Sequence, residues 1–594
     1  MRINKDFLYA GILALLLSFV LFGNGIGGDF VFDDKIAVVG NPLIGSSVNL
    51  PEIFTTPYFA YQPLPGLYRP LAIASYSINA SIFGVSPVSF HAVNIILHAL
   101  TSLLIFIFFY RLSGRITAFS GFIFFMFLPI HVEDVTSIVG RAEILSLLFM
   151  TAALLFVLDR KYVLSAAAFL LSLFSKEMAL AFVPIFLFLE YFWHKKKIKL
   201  ILKDSVYPVI ALLLYSILRY AALGKYFLRN DATPVYNPIK FAPFFEGLWT
   251  SFKVFYLYIE KIFFPVSLSI DYSFNQIPLV KNPFHSIEAL LGILILAGLI
   301  FSFFKIKSVL FRTGILIFLS SYFVISNWVF KTGTIMAERL MYAPTFGLAL
   351  LAGMAFNHLY PKFKNKKLLY GLAIIVLGFY GFIIVDRNKD WLKEESLFKS
   401  AYAVAPNSII NQTNMAYLDF ISGDFQSAGT RLDKVLELAP DHVAALNLAG
   451  QNYKKLGQYQ KAEESWKRAI ELRGDYLRAY LSLGILYYEN SYNKSAEFVL
   501  SKAVEIYPRW HEIFVLALTK INLDKPDEAI ALIEKYFGKN PPRRELKLAL
   551  GIAYLRKGDR NTAVVYFNDS KNPKISMDDF LKMAEQTKIF KIED

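Results

Sequence analysis

The stretch Phe30-Val-Phe-Asp-Asp-Lys-Ile-Ala-Val-Val-Gly-Asn-Pro42 follows closely on the first long apolar run, Phe7 to Phe22, which reads as a membrane helix. It sets two adjacent carboxylates, Asp33 and Asp34, at the mouth of that helix. Carboxylates there face water while bordering lipid, a position that suits a reaction between a lipid-borne and a water-borne substrate. The basic start, Met1 to Lys5, holds the N-terminus inside and delivers the acidic pair to the outer face. A cleaved signal peptide is the competing reading. Against it, many further apolar runs follow and no small-x-small cleavage site precedes Asp29.

Composition extends this outward. Of 594 residues, 55% are hydrophobic and 16% aromatic, with 56 Phe, which is too apolar for a soluble chain of this size. The net charge of +15 sits in short Lys/Arg clusters between apolar runs, so it reports topology and contact with anionic membrane lipids, not nucleic acid. The absence of Cys excludes disulfides and thiolate metal sites.

Residues 24–90 read as an outer loop with short interfacial helices, where Tyr58, Tyr61, Tyr68 and Tyr76 supply an aromatic belt. Further spans are expected at about 91–110, 116–129, 143–158, 162–174, 178–193, 206–222, 287–304, 309–328, 340–358 and 368–385, eleven in all. Basic groups such as Arg111/Arg115, Arg160/Lys161, Lys195–Lys199 and Lys362–Lys367 mark the cytoplasmic ends. By that parity His131-Val-Glu-Asp134, Arg141, Lys176, Glu177, Glu338 and Arg339 join Asp33 on the outer face. Residues 246–264 carry Lys253, Glu260 and Lys261 and read as an interfacial or re-entrant helix, a twelfth span being the alternative.

Beyond Asp386 the composition becomes that of a soluble helical domain. Pro406, Pro440, Gly474 and Pro508 stand 34 residues apart, the period of the tetratricopeptide repeat (TPR). The clearest unit, Val443 to Tyr476, places Ala449, Gly450, Gly457, Tyr459, Ala462 and Trp466 where two antiparallel helices pack closely. About five repeats are expected over 387–570, with 571–594 as a polar cap. Such a solenoid offers a groove to a protein partner. The whole is an all-α chain: a polytopic helical membrane domain over 1–386, then an α-solenoid.

Asp33 and Asp34 read either as a reactive pair or as boundary and capping charges. Company on the same face favours function. His131, Glu133 and Asp134 carry metal-ligand chemistry, but one short segment needs a third ligand from elsewhere, so a divalent metal is not favoured and the cofactor stays open. Arg141 and Arg339 suit a phosphate, because a guanidinium fork binds phosphate oxygens in pairs. For Arg339 an ion pair with Glu338 or another carboxylate is the plainer reading. No P-loop, dinucleotide fingerprint, HExxH or nucleophile elbow is present.

The series FDD near 33, YRPL at 68–71, Asn79 and His91, HVEDVTSIVGRAE at 131–143, SKE at 175–177, FPVSLSIDYS at 264–273, AERLMYAP at 337–344 and RNKDWLKEESLF at 387–398 resembles the transmembrane-and-TPR O-mannosyltransferases of the GT-C superfamily. The resemblance implies a glycosyltransferase that moves a sugar, mannose favoured, from a polyprenyl-phosphate donor to protein hydroxyls on the extracytoplasmic face. It implies Asp33 as the base, with Asp34 and Glu133 orienting it or the acceptor. Arg69, His131, Asp134, Arg141, Lys176, Glu177 and Arg339 fall in its substrate-binding set. The expected setting is a prokaryotic inner or plasma membrane, with the N-terminus cytoplasmic and the repeats outside, presenting the acceptor. A lipid or polysaccharide glycosyltransferase, a glycan ligase and a non-enzymatic TPR scaffold are the alternatives.

Overall fold

The computed structural model describes residues 5–45, 47–59, 66–228, 232–571 and 575–582. Tyr61 of the aromatic belt, Met1–Asn4 and most of the expected cap lie outside the described residues. Helices and their connections account for everything described, with no strand among the described residues. The chain divides into two compact units, the first reaching Gln412 and the second beginning at Thr413.

In the first unit seven helical segments are long and apolar enough to cross a membrane: Lys5–Gly25, Pro87–Ser113, Ile138–Leu158, Ile198–Tyr226, Ile287–Lys305, Glu338–Leu359 and Lys366–Leu392. An eighth arises if Arg115–Met126 and Pro129–Thr136, bent by 55°, count as one crossing. The protein is therefore a multi-pass membrane protein. The remaining expected spans are shorter or broken. Tyr162–Ser175 and Val309–Ile325 are apolar but short. The 178–193 segment divides into a 3-10 turn, a helix over Phe182–Phe188 and a π turn over Leu189–Trp193. Phe244–Phe263 is one unbroken amphipathic helix of 20 residues that buries Gly247, Ser251, Val254, Phe255, Tyr258 and Ile262. It falls outside the candidate crossings, as its Lys and Glu residues lead one to expect.

Close backbone packing fixes the helix that carries Arg339 at its entry. A Cβ on Gly353, in Tyr342–Leu359, would collide with the Thr117 carbonyl and the Gly121 backbone of Arg115–Met126. Only glycine permits that approach, and small residues at helix contacts are how membrane helices pack without a hydrophobic drive. Tyr342–Leu359 is thus held through its second half against Arg115–Met126.

The repeat region consists of helix pairs whose first members begin at Ile409, Val443, Leu477, Trp510 and Arg544, 33 or 34 residues apart. Within a pair the contact depends on small residues. Gly450 lies under the Trp466 indole, and that indole donates to the Asn447 carbonyl at 3.2 Å. After the last pair, Met577–Lys582 brings Phe580 to stack on Phe567 with ring centroids 4.4 Å apart.

Candidate active site

The first helix ends in the turn Gly23–Gly25, and the chain after it is tied down at several points. Asn388 donates to the Leu21 carbonyl at 2.7 Å, and the Asp29 N–H donates to the Leu392 carbonyl at 3.0 Å. Phe32 takes a φ of +52°, a region a bulky side chain rarely enters, so the turn before Asp33 is held under strain. Asp34 is fully buried. Its carboxylate accepts the Val139 N–H at 3.0 Å and the Val31 N–H at 3.3 Å, bracing the loop against the 138–140 turn. Burial pushes its pKa up to about 7, against the pull of those two N–H groups and with a push from the Asp33 charge.

Asp33 is half-buried, and its carboxylate has no hydrogen bond or ion pair among the described residues. Its charged surroundings are Arg339, Glu133 and Arg69. Burial raises its pKa, and the two arginines oppose that rise. A carboxylate so placed is not committed to a protein partner, which is what a base awaiting a substrate proton needs.

Arg339 is the second residue of the 3-10 turn Glu338–Met341, which begins after the extended residue Ala337. Its guanidinium pairs with Glu133, and its N–H donates to the same carboxylate at 3.0 Å. The side chain stays 30% exposed, so part of its donor fork is open. The neighbouring Glu338 turns elsewhere, accepting from the Ser269 N–H and the Tyr272 hydroxyl, each at 2.6 Å. The carboxylate partner of Arg339 is therefore Glu133 and not Glu338.

Arg69 lies over the Tyr58 ring at 5.4 Å and reaches Glu177 at 3.4 Å. Glu177 is shared with Arg219, at 2.9 Å. Lys176 pairs with Glu143, both buried. Asp134 is fully buried, with neither oxygen hydrogen-bonded, and its charged surroundings are those same Glu143, Lys176, Glu133 and Arg339 side chains.

Two candidates sit apart from this cluster in what they do. Arg141 is fully buried and donates to Asn94 at 2.7 Å, Phe90 at 2.9 Å, Asn79 at 3.1 Å and the Ser75 carbonyl at 3.3 Å, with Tyr76 and Phe90 against its faces. Its fork is occupied, so it locks Pro70–Phe83 and Pro87–Ser113 to the 137–140 turn. The His131 ring is enclosed by Phe125 and Tyr342, with Nε2 2.8 Å from the Thr345 hydroxyl. Among the described residues no three His, Asp or Glu side chains are grouped to hold a metal ion.

Three further residues, Arg219, Glu143 and Asp271, hold the site together. Arg219 stands alone in an apolar run, and a lone cation at membrane depth is itself a signal. Glu143 closes the Lys176 pair. Asp271 accepts from the Ser273 N–H at 2.8 Å and from the Ser273 and Ser408 hydroxyls at 2.5 Å, while Asn411 donates to its backbone carbonyl at 3.4 Å. The FPVSLSIDYS loop is thereby clamped to residues 408–411.

Fold and site define a multi-pass helical membrane protein with a half-buried cluster of paired charges and tetratricopeptide repeats. Residues 450–491 match the family model described as TPR repeat. The chain is 29% identical over 418 residues to protein O-mannosyl-transferase F38B6.6 of Caenorhabditis elegans, covering 67% of this chain and 58% of that protein. It is 24% identical over 611 residues to protein O-mannosyl-transferase TMTC3 of Mus musculus, covering 91% of this chain and 65% of that protein. The chain thus spans 58% and 65% of the length of these two relatives. Among solved structures, that of MamA is 28% identical, covers 26% of this chain and 91% of that chain, and superposes with a TM-score of 0.25.

Proposed function

We propose that this chain is a GT-C-type glycosyltransferase that moves mannose from a polyprenyl-phosphate donor to hydroxyl groups of proteins on the extracytoplasmic face of a prokaryotic plasma membrane. The observation that carries this reading is Asp33, a half-buried carboxylate with no partner of its own among the described residues, beside the part-open guanidinium of Arg339. The names of the relatives support mannose and a protein acceptor.

In this mechanism Asp33 accepts the proton of the acceptor hydroxyl as its oxygen bonds to the anomeric carbon of the sugar. The bond from that carbon to the phosphate oxygen breaks, and the lipid phosphate leaves carrying the electron pair. Arg339 and Arg69 offer bidentate donors to the departing oxygens, and Lys176 adds charge nearby. Glu133 and Glu177 hold the two arginines in place, while Asp34 and Arg141 fix the loops around them. The repeats present the acceptor protein.

The chain reconstituted in nanodiscs with labelled polyprenyl-phosphate mannose tests this. Expected are released polyprenyl phosphate and a mannosylated Ser or Thr by mass spectrometry when lysate proteins of the source cell are added. Absence of both donor turnover and protein labelling in a chain that binds the donor refutes it.

A further inference from the structure

The repeat unit has a second recess besides the groove lined by its first helices. Successive first helices pack on one another, Val443–Lys455 on Leu477–Glu489 and Leu477–Glu489 on Trp510–Asn522. The second helices Tyr459–Leu472 and Asn493–Ile506 flank Leu477–Glu489 from the outer side, and a cleft of about 600 Å³ opens between them. That is room for one or two side chains of a partner.

Tyr480 and Leu483 line it from the first helix, and Phe498 lines it from the second with 68% of its surface exposed. A single exposed Phe is ordinary, but here it borders a concave apolar floor. Around it stand Lys467, Lys494 and Lys502, against one carboxylate, Glu471, which Arg468 already holds at 3.3 Å. Lys467 and Lys502 are each ion-paired with a Glu of their own helix, Glu463 at 2.6 Å and Glu505 at 2.7 Å, while Lys494 has no ion pair among the described residues. The cleft is apolar within and basic at its edge.

We infer that this outer cleft docks an acidic segment of a second protein, one that inserts a Leu, Phe or Trp side chain between flanking Asp or Glu residues. An apolar anchor surrounded by charges of matching sign is how small interfaces combine affinity with choice of partner. A flat lipid surface fits less well, because the apolar floor is not presented outward: Leu483 is buried and Tyr480 half-buried. The inference stands apart from the transferase reading and does not depend on it.

The test is selection of a displayed random-peptide library on the full chain in phosphatidylcholine nanodiscs. Enriched peptides are expected to share an aromatic or Leu residue flanked by carboxylates. A synthetic consensus peptide should bind with an affinity that falls with salt and drops about 10-fold in Phe498→Ala and in Lys494→Glu. Val565→Ala, at an exposed apolar residue elsewhere in the unit, should leave it unchanged. Thermal melts and the emission of buried Trp466 establish that each variant is folded. Failure to enrich any peptide, enrichment of peptides without carboxylates, or unchanged affinity in folded Phe498→Ala overturns the inference. So does Phe498-dependent co-sedimentation with phosphatidylglycerol liposomes in place of peptide binding, which assigns the face to lipid.

Discussion

Asp34 gives both carboxylate oxygens to backbone N–H groups, whereas Asp33 gives its own to none among the described residues. Asp33→Asn should therefore abolish transfer, measured as mannosylated product, while the melting temperature stays near wild type. Asp34 predicts a pH effect instead. Its folded-state pKa, about 7, lies above the ordinary 3.8, so the fold favours the protonated form. That stabilisation is complete below about pH 4 and is lost as pH rises through 7, on the order of 4 kcal/mol in total. Thermal melts from pH 5 to 8 should show stability falling with pH in wild type and a flatter profile in Asp34→Asn. Two of the cationic candidates, Arg339 and Arg141, divide in the same manner. Arg339→Lys should lose about 10-fold or more in donor affinity with the fold intact, because a point charge cannot reproduce a fork. Arg141→Lys should lower the melting temperature and leave donor affinity little changed at permissive temperature. The sequence displays the acidic pair through its place after an apolar run, but it cannot separate Asp33 from Asp34. That difference depends on a turn 105 residues away. Arg219 is hidden for a like reason, since its partner Glu177 lies 42 residues off.

Helices are legible where apolar runs are long and uninterrupted, which is why Pro87–Ser113 and Ile287–Lys305 match their expected ranges closely. Breaks inside apolar runs are not legible by hydropathy, because a bent or 3-10 segment is as apolar as a straight one. The bend between Arg115–Met126 and Pro129–Thr136 and the division of 178–193 are of this kind. The TPR helices are the easiest to read, since period and small residues agree with each other. Tertiary contact adds what periodicity lacks, as at Gly353. Gly353→Ala should cost about 1–3 kcal/mol, because its Cβ meets backbone and not a flexible side-chain tip. As Tyr342–Leu359 shifts, Arg339 at its entry should move with it, raising the KM for donor. Gly371→Ala, with open space around its Cβ, is the control and should be neutral or slightly stabilising.

For the whole chain, compartment follows from the number of crossings. Pro87–Ser113 carries the chain away from the Asp33 face, and the Asp34–Val139 hydrogen bond requires Arg115–Met126 to bring it back, so the bent segment counts as a crossing and the parity turns on whether shorter apolar segments such as Tyr162–Ser175 and Val309–Ile325 cross as well. A glycosylation or protease tag near Asn561 is expected to report the outer compartment. A cytoplasmic result makes the repeats a binding surface for an inner-face partner. Truncation separates the units further. A chain ending after Gly423 keeps Ser408 and Asn411 and so retains the Asp271 clamp. It should turn over donor and modify short peptides while losing most activity on native protein. A chain ending after Lys399 lacks both clamp residues and should be unstable in detergent, read as early melting or aggregation.

The clamp at Asp271 also bears on how such a chain can change over generations. Because residues 408–411 complete the membrane unit, a crossover that exchanges or lengthens the repeats leaves a working parent only if it falls downstream of Asn411. Recombination past the helix that holds Asn411, which runs to Ile421, exchanges repeats without touching the clamp. Recombination even a dozen residues earlier joins a loop from one ancestor to an anchor from another. Inheritance of the membrane unit is therefore expected to carry the Ser408-x-x-Asn411 segment with it, whatever repeats follow.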